Sequence, residues 1–393
     1  MKKLTSVLLV GALLAGMTAC SSGTAGSSSS VASQAASNVA TSEAASQAAS
    51  SSAAAAAGEI KSTGPNGEKA VNAKTIDLTD SEIAKVKAGN YSAAICFHYA
   101  GNDWSTSQLK GLTDEFNKLG IKIVATTDAN FSVEKQVANI ETVIAKKPNI
   151  MVSIPVDATS TADAYQKAAN AGIKLVFMDN VPKGFVAGKN YVSCVSADNY
   201  GNGLIAADLI GEKLNGKGKI GVIYYDADFF VTNQRLAAFN KEMADKYPNI
   251  KIVSKMGFQD TNKCSTVADA MITQHPEIQA IFAHWDVPCE GVISSLRAAG
   301  RNDVALSTMD LGNNIAKEIA QGNVLGVGAQ MPYDQGVAEA KFAAYSLIGK
   351  TAPAYVAVPG LRVDQSNILD AYKEVYHVAA PDWLVQAKNS AKK

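Results

Sequence analysis

The sequence predicts an α/β protein with two doubly wound parallel sheets, on three observations. β-rich runs alternate with amphipathic helical stretches, the alternation is gone through twice, and roughly 300 residues follow residue 75, enough for two cores. In the first set, residues 93–97, 122–125, 150–154, 174–178 and 191–195 read as strands, with helical periodicity over 107–119, 133–146 and 162–171. Residues 198–214 read as a helix opening the second set, although Gly201 and Gly203 lower its propensity. Strands at 220–224, 251–255, 280–283 and 304–308 follow, with helices around 234–246, 264–274 and 290–299. Beyond a run at 324–329, a helix over 333–347 and a short strand at 355–358 are expected to return to the first domain.

What precedes this body is a leader and a tether. Lys2 and Lys3 supply a positive start, residues 4–15 a short apolar run, and Met17-Thr18-Ala19 small or modest side chains before Cys20. The run is short of the about 20 residues a membrane-spanning helix needs, so cleavage is the expected fate. The segment resembles the lipobox of bacterial lipoproteins, with Met17 where that motif usually carries Leu. The resemblance implies a signal peptide over 1–19 and lipidation at Cys20. Residues 21–58, mostly Ser and Ala, bury too little apolar surface to offset chain entropy and read as a flexible linker.

Basic and acidic residues balance at 36 each, so no basic excess supports nucleic-acid binding. Cys96, Cys194, Cys264 and Cys289 have no metal-ligand spacing. Cys96 and Cys194 lie in apolar strand-like runs, where Cys acts as a small buried hydrophobe. No cofactor or metal is expected.

The order of several segments resembles a known family. Ile150-Met151-Val152-Ser153-Ile154-Pro155-Val156-Asp157, Phe177-Met178-Asp179-Asn180, Val195-Ser196-Ala197-Asp198-Asn199 and Ile278-Gln279-Ala280-Ile281-Phe282-Ala283 are similar in order and spacing to type I periplasmic binding proteins of ABC transporters, the ribose- and galactose-type sugar binders. The resemblance covers residues 91–370. It implies two lobes joined by a three-segment hinge, with crossings near 196–199, 330–332 and 359–362, and a ligand held between the lobes. The lobes then comprise 75–197 with 331–360, and 198–330 with 361–393, after a lipidated linker at 20–74. Hinge closure is the expected means of trapping ligand.

Open α/β sheets bind ligands beyond the carboxyl ends of their strands, so the residues after each strand are the candidates. His98, Tyr99, Asn102, Asp103 and Trp104 follow the first strand. Rings stack on the apolar face of a sugar, while amide, carboxylate and imidazole groups bind hydroxyls. Asp179 can accept two hydroxyl hydrogen bonds. Asn180 stands where the family often has Arg, which removes a fork donor and puts a pentose ligand in doubt. In the second lobe, Asn233 and Arg235 compete for the family's Arg-containing site, with Asn233 favoured as ligand-facing and Arg235 as structural. The resemblance also points to Phe258, to Trp285 and Asp286 where relatives carry Asn then Asp, and to Asp310 and Gln330.

Several carboxylates and few cations in one cleft disfavour an anionic ligand, on the order of several kcal/mol in a poorly solvated site. A neutral sugar or polyol is the expected ligand. Rings with carboxylates also suit ammonium groups, so a cationic ligand feeding a sensor is the alternative. His98 with Asp103 and His284 with Asp286 can be drawn as acid–base pairs, yet ligand hydrogen bonding explains them equally well. No phosphate loop, nucleophile elbow or zinc motif supports an enzyme. A repressor of the same fold would carry a DNA-binding module where this chain has the leader. The expected partners are therefore the ligand, ABC permease subunits and the bilayer reached through Cys20, and the expected location is the extracytoplasmic face of a Gram-positive-type cell membrane.

Overall fold

The computed structural model describes residues 59–391. The signal peptide, Cys20 and the Ser/Ala-rich stretch to residue 58 lie outside the described residues.

In chain order, β1 (Val71–Asn72) and α1 (Asp80–Ala88) lead into β2 (Ser92–Phe97), α2 (Asp103–Lys118), β3 (Lys122–Asp128), α3 (Val133–Lys146), β4 (Ile150–Ser153), α4 (Ala162–Asn170), β5 (Lys174–Met178) and β6 (Ser193–Ala197). There follow α5 (Asn199–Lys213), β7 (Lys217–Tyr225), α6 (Phe230–Asp245), β8 (Asn249–Phe258), α7 (Cys264–Gln274), β9 (Ala280–Ala283), α8 (Asp286–Ala298), β10 (Ala305–Met309), α9 (Asn313–Gln321) and β11 (Gly326–Ala329). The chain ends with α10 (Pro332–Leu347), β12 (Tyr355–Val358), β13 (Leu361–Asp364), α11 (Ile368–Tyr376) and α12 (Asp382–Ser390).

These strands form two sheets, ordered β1-β12-β6-β5-β4-β2-β3 and β13-β11-β10-β9-β7-β8. Every pairing is parallel except β11 with β13. Helices cover both faces of each sheet, so strand residues are buried on either side. On β2, Ile95 and Phe97 join one core with Leu112, Phe116 and Phe342, while Ala94 and Cys96 join the opposite core with Tyr165 and Phe177. The second sheet repeats this, with Ile223 and Ile281 on one face and Val222 and Phe282 on the other. All four described cysteines are buried and free.

The chain passes from the first sheet to the second after β6, returns after β11, and crosses again between β12 and β13. As expected, α10 and β12 belong with the first sheet. The close packing of α10 on α2 explains two glycines: a Cβ on Gly111 would lie 2.1 Å from the Tyr333 carbonyl oxygen, and one on Gly336 would lie 2.3 Å from that of Gln108.

The segment before β1, part of the expected linker at 20–74, is ordered against the body. The main-chain N–H groups of Lys61 and Ser62 donate to the Asp198 carboxylate at 3.0 and 2.8 Å, and Ser62 Oγ donates to it at 2.8 Å. Asp198 is the N-cap of α5, at the first crossing, and also accepts from the Gly201 N–H. Ser62 Oγ in turn accepts from the Tyr200 N–H at 2.9 Å, and Gln234 on α6 donates to the Thr63 carbonyl. Because β1 pairs with β12, this strap joins the first sheet to the opening helices of the second.

Candidate ligand-binding cleft

A cavity of about 560 Å³ lies beyond the carboxyl ends of both sheets. Its wall includes His98, Tyr99, Asn102, Trp104, Asp179, Arg235, Trp285, Asp310 and Gln330 from the sequence-derived set.

Five residues of the wall, Asp179, Arg235, Asp310, Gln330 and Trp104, are connected in one network through Ser196 and Asn199. Asp179 follows β5 in a left-handed conformation at φ 55°, and its Oδ1 accepts from Ser196 Oγ at 2.6 Å. Asn199 Nδ2 donates to the same Ser196 oxygen at 2.9 Å, and Asn199 Oδ1 accepts from Arg235 Nε at 2.9 Å. The buried guanidinium lies 3.3 Å from Asp310, which also accepts from Gln330 Nε2 at 2.7 Å. Gln330 Oε1 accepts from Trp104 Nε1 at 3.3 Å. Burial pushes the Asp179 carboxyl up to about 6, against the opposing pull of Ser196 and Arg235. Among the described residues Arg235 is the one Lys or Arg on the wall, and it is committed to Asp310.

Rings form the rest of the wall. Tyr99 stacks on Phe131 with centroids 4.9 Å apart, and His98 stacks on Phe229 at 5.9 Å, which joins a loop of the first sheet to a loop of the second. Tyr225 meets Trp285 edge-on at 5.6 Å. Burial among these groups pushes the His98 imidazole down to about 3, so it is neutral at physiological pH. His284 is likewise held down to about 3 by burial, and its Nδ1 accepts from the Tyr225 N–H at 2.9 Å.

Five expected residues sit off this wall. Asp103 spends both oxygens on Asn313, at 2.7 Å to the main-chain N–H and 2.8 Å to Nδ2. Asn180 is buried outside the cavity. Asn233 is exposed and donates to Asp228, whereas Arg235 faces the cavity, which reverses the preference between them. Positions two apart on a helix differ by about 200° in direction, so only one of the pair can face the cleft. Phe258 ends β8 and is buried in the core, supporting Trp285 from 5.2 Å behind. Asp286 begins α8 and accepts from the Val287 N–H at 2.8 Å, and burial pushes its carboxyl well up, with Asp310 adding to the effect. Neither acid–base pair drawn from the sequence forms: no described residue bridges His98 to Asp103, and His284 pairs through Nδ1 with the backbone.

The wall also has members outside the candidate set, including Asn130, Phe131 and Tyr225, with Phe229 and the polar stretch from Gln259 to Asn262 from the loops before α6 and after β8. Asn130 and Phe131 are consecutive left-handed residues at φ 48° and 57°, and Phe131 is 43% exposed. A bulky exposed residue in that conformation is strained, which is common where a loop binds ligand.

The periplasmic binding protein domain profile matches residues 93–351, a stretch that contributes strands to both sheets. The chain belongs to the periplasmic binding proteins. It is of type I, a group whose members include the solute-binding proteins of sugar ABC transporters. The ribose import binding protein of Salmonella typhimurium is 26% identical over 285 residues, covering 72% of this chain and 93% of that relative. The D-ribose/D-allose-binding protein of Pseudomonas aeruginosa is 28% identical over 259 residues, covering 65% and 79%. A solute-binding protein structure from Agrobacterium vitis, bound with α-D-tagatopyranose, superposes with a TM-score of 0.68 at 23% identity over 74% of this chain and 100% of that one. The described part of this binding protein has no helix long and apolar enough to cross a membrane.

Proposed function

We propose that this binding protein captures a neutral sugar or polyol between its lobes and delivers it to an ABC importer, held at the extracytoplasmic face of the membrane by lipid on Cys20. The observation that carries the ligand class is the polar network on the wall, flanked by rings, in which the one guanidinium among the described lining residues is already paired with Asp310. Among the described residues nothing donates to Asp179 Oδ2, so a ligand hydroxyl can take that place. An anion would meet Asp179 and Asp310 with no free cation to compensate. A neutral polyhydroxyl compound satisfies the same acceptors and offers C–H faces to Tyr99, Trp104 and Trp285. Relatives that import ribose and bind D-ribose or D-allose support this class. On this reading the ligand is released unchanged.

A thermal-shift and calorimetric panel of aldoses, ketoses and polyols tests the reading. At least one should bind one-to-one and raise the melting temperature, and Asp179→Ala should abolish that rise while its circular dichroism stays that of the wild type. A panel in which only small amines or anions bind overturns it.

A further inference from the structure

Asp103 has left the cavity wall for a partner on the other lobe. It is the first residue of α2, which follows β2 of the first sheet, and Asn313 is the first residue of α9, which follows β10 of the second. The two carboxylate oxygens take separate donors, Asn313 N–H at 2.7 Å and Asn313 Nδ2 at 2.8 Å.

The helix ends explain why the carboxylate is available and why it is wanted. Asn102 caps α2 by accepting from the Ser105 N–H at 2.8 Å, so Asp103 is not needed as the cap of its own helix. The N-cap of α9 is Gly312, which has no side chain to offer. The first donors of that helix, at its positive end, would otherwise be left to solvent. A Cβ at Gly312 would lie 2.2 Å from Asp286 Oδ2, so it is Asp286 that requires glycine there, while Asp103 Oδ2 at 3.4 Å would be in ordinary contact. Tyr372 fixes the amide by donating to Asn313 Oδ1 at 2.8 Å, which turns Nδ2 toward Asp103, and Tyr376 bonds the Leu311 carbonyl just before the turn.

We propose that Asp103 is a closure latch, a cap supplied to α9 by the opposite lobe only when the lobes meet, and that it sets how long the closed protein retains its ligand. Opening the cleft separates α2 from α9 and breaks both hydrogen bonds. Charge-assisted bonds of this kind exist in the closed state alone, so they slow opening and leave the encounter with ligand unchanged. Asp103 is thus a positioning residue acting through Asn313.

The retention part rests on the sugar-binding reading, whereas the closure part does not. Trp104 and Trp285 on the wall provide a fluorescence signal for stopped-flow kinetics with D-ribose or whichever panel sugar binds, and small-angle scattering of the ligand-free full chain reports opening without any ligand. Asp103→Ala should raise the dissociation rate about tenfold with an unchanged association rate, and should increase the radius of gyration of the ligand-free protein. Asn313→Ala keeps the main-chain donor and should raise the dissociation rate less, about threefold, with the double variant no faster than Asp103→Ala. Additive effects, a change confined to the association rate, or unchanged scattering would overturn the latch. If no panel sugar binds, the functional reading fails while scattering still decides the latch.

Discussion

Replacing Asp179 by Asn should make the ligand-free protein more stable at pH 7.5 and leave it unable to hold ligand. The carboxyl is raised from 3.8 to about 6 chiefly by burial, so folding favours its protonated form. Below pH 4 both folded and unfolded chains are protonated there, and the group costs nothing in either. As pH rises from about 4 to about 6 the unfolded chain ionises freely while the folded one resists, and stability falls by about 1.4 kcal/mol per unit. Above about 6 the cost is complete, at about 3 kcal/mol. Asn never ionises and so avoids it, and the favourable Ser196 hydrogen bond is already contained in the value of about 6.

The gain at pH 7.5 is therefore about 3 kcal/mol, a rise of about 4 °C in melting temperature for a chain of this size. Asn also tolerates the left-handed φ of 55° at this position, so backbone strain adds no penalty. Urea denaturation of wild type and variant at half-unit intervals from pH 4 to pH 8 measures the effect. The two curves should coincide near pH 4, separate through pH 6 and run parallel beyond it. Curves that stay parallel over the whole range would refute the assignment of a buried, proton-preferring carboxyl to Asp179.

Glu339 allows a related test away from the wall. It is buried between α2 and α10, its Oε1 accepts from Gln108 Nε2 at 2.5 Å, and burial pushes its carboxyl well up. Glu339→Gln should therefore flatten the loss of stability as pH rises above the ordinary glutamate range, measured by the same urea titrations, with the larger benefit on the alkaline side. Ser62→Ala removes one donor to Asp198 and the acceptor for the Tyr200 N–H, which should cost about 1–2 kcal/mol in urea denaturation at neutral pH. An unchanged midpoint would show that the strap is not held to α5 through that hydroxyl.

The sequence resolved the sheets better than the cleft, and the difference lies in where elements begin and end. Buried parallel strands are short apolar runs, and the helices over 133–146 and 264–274 match α3 and α7 to the residue. The helices expected at 107 and 290 start four residues earlier, at Asp103 and Asp286. Those two carboxylates therefore looked like free loop groups when each is the first residue of a helix. The strand expected to end at 125 runs to Asp128, which moves the loop after it onto Asn130 and Phe131 and explains why that aromatic was overlooked. The choice between Asn233 and Arg235 depended on the phase of α6, which follows from its start at Phe230 and from no local pattern of side chains. The strap at Lys61 and Ser62 had no signal at all, because a chain segment fixed by main-chain donors to one distant carboxylate carries no periodicity.

Asp179 and Asp310 are reached by the same local solution in the two lobes. Each is the residue just after a parallel strand, each is left-handed, at φ 55° and 65°, and each donates its own N–H to the neighbouring strand, to Val195 at 2.8 Å and Gly328 at 3.2 Å. Non-glycine residues hold that conformation at a cost of order 1 kcal/mol each, kept in place by the sheet on either side. The strain turns both carboxylates toward the same cleft, where they repel each other across the lobes, and Arg235 sits where it attracts Asp179 as well as Asp310. Closure without ligand therefore brings like charges together, a cost offset by Arg235 and by the Asp103–Asn313 bonds. A ligand with hydroxyls on opposite edges supplies donors to both carboxylates at once, so the electrostatic opposition to closure is relieved by the class of molecule the cleft is proposed to carry.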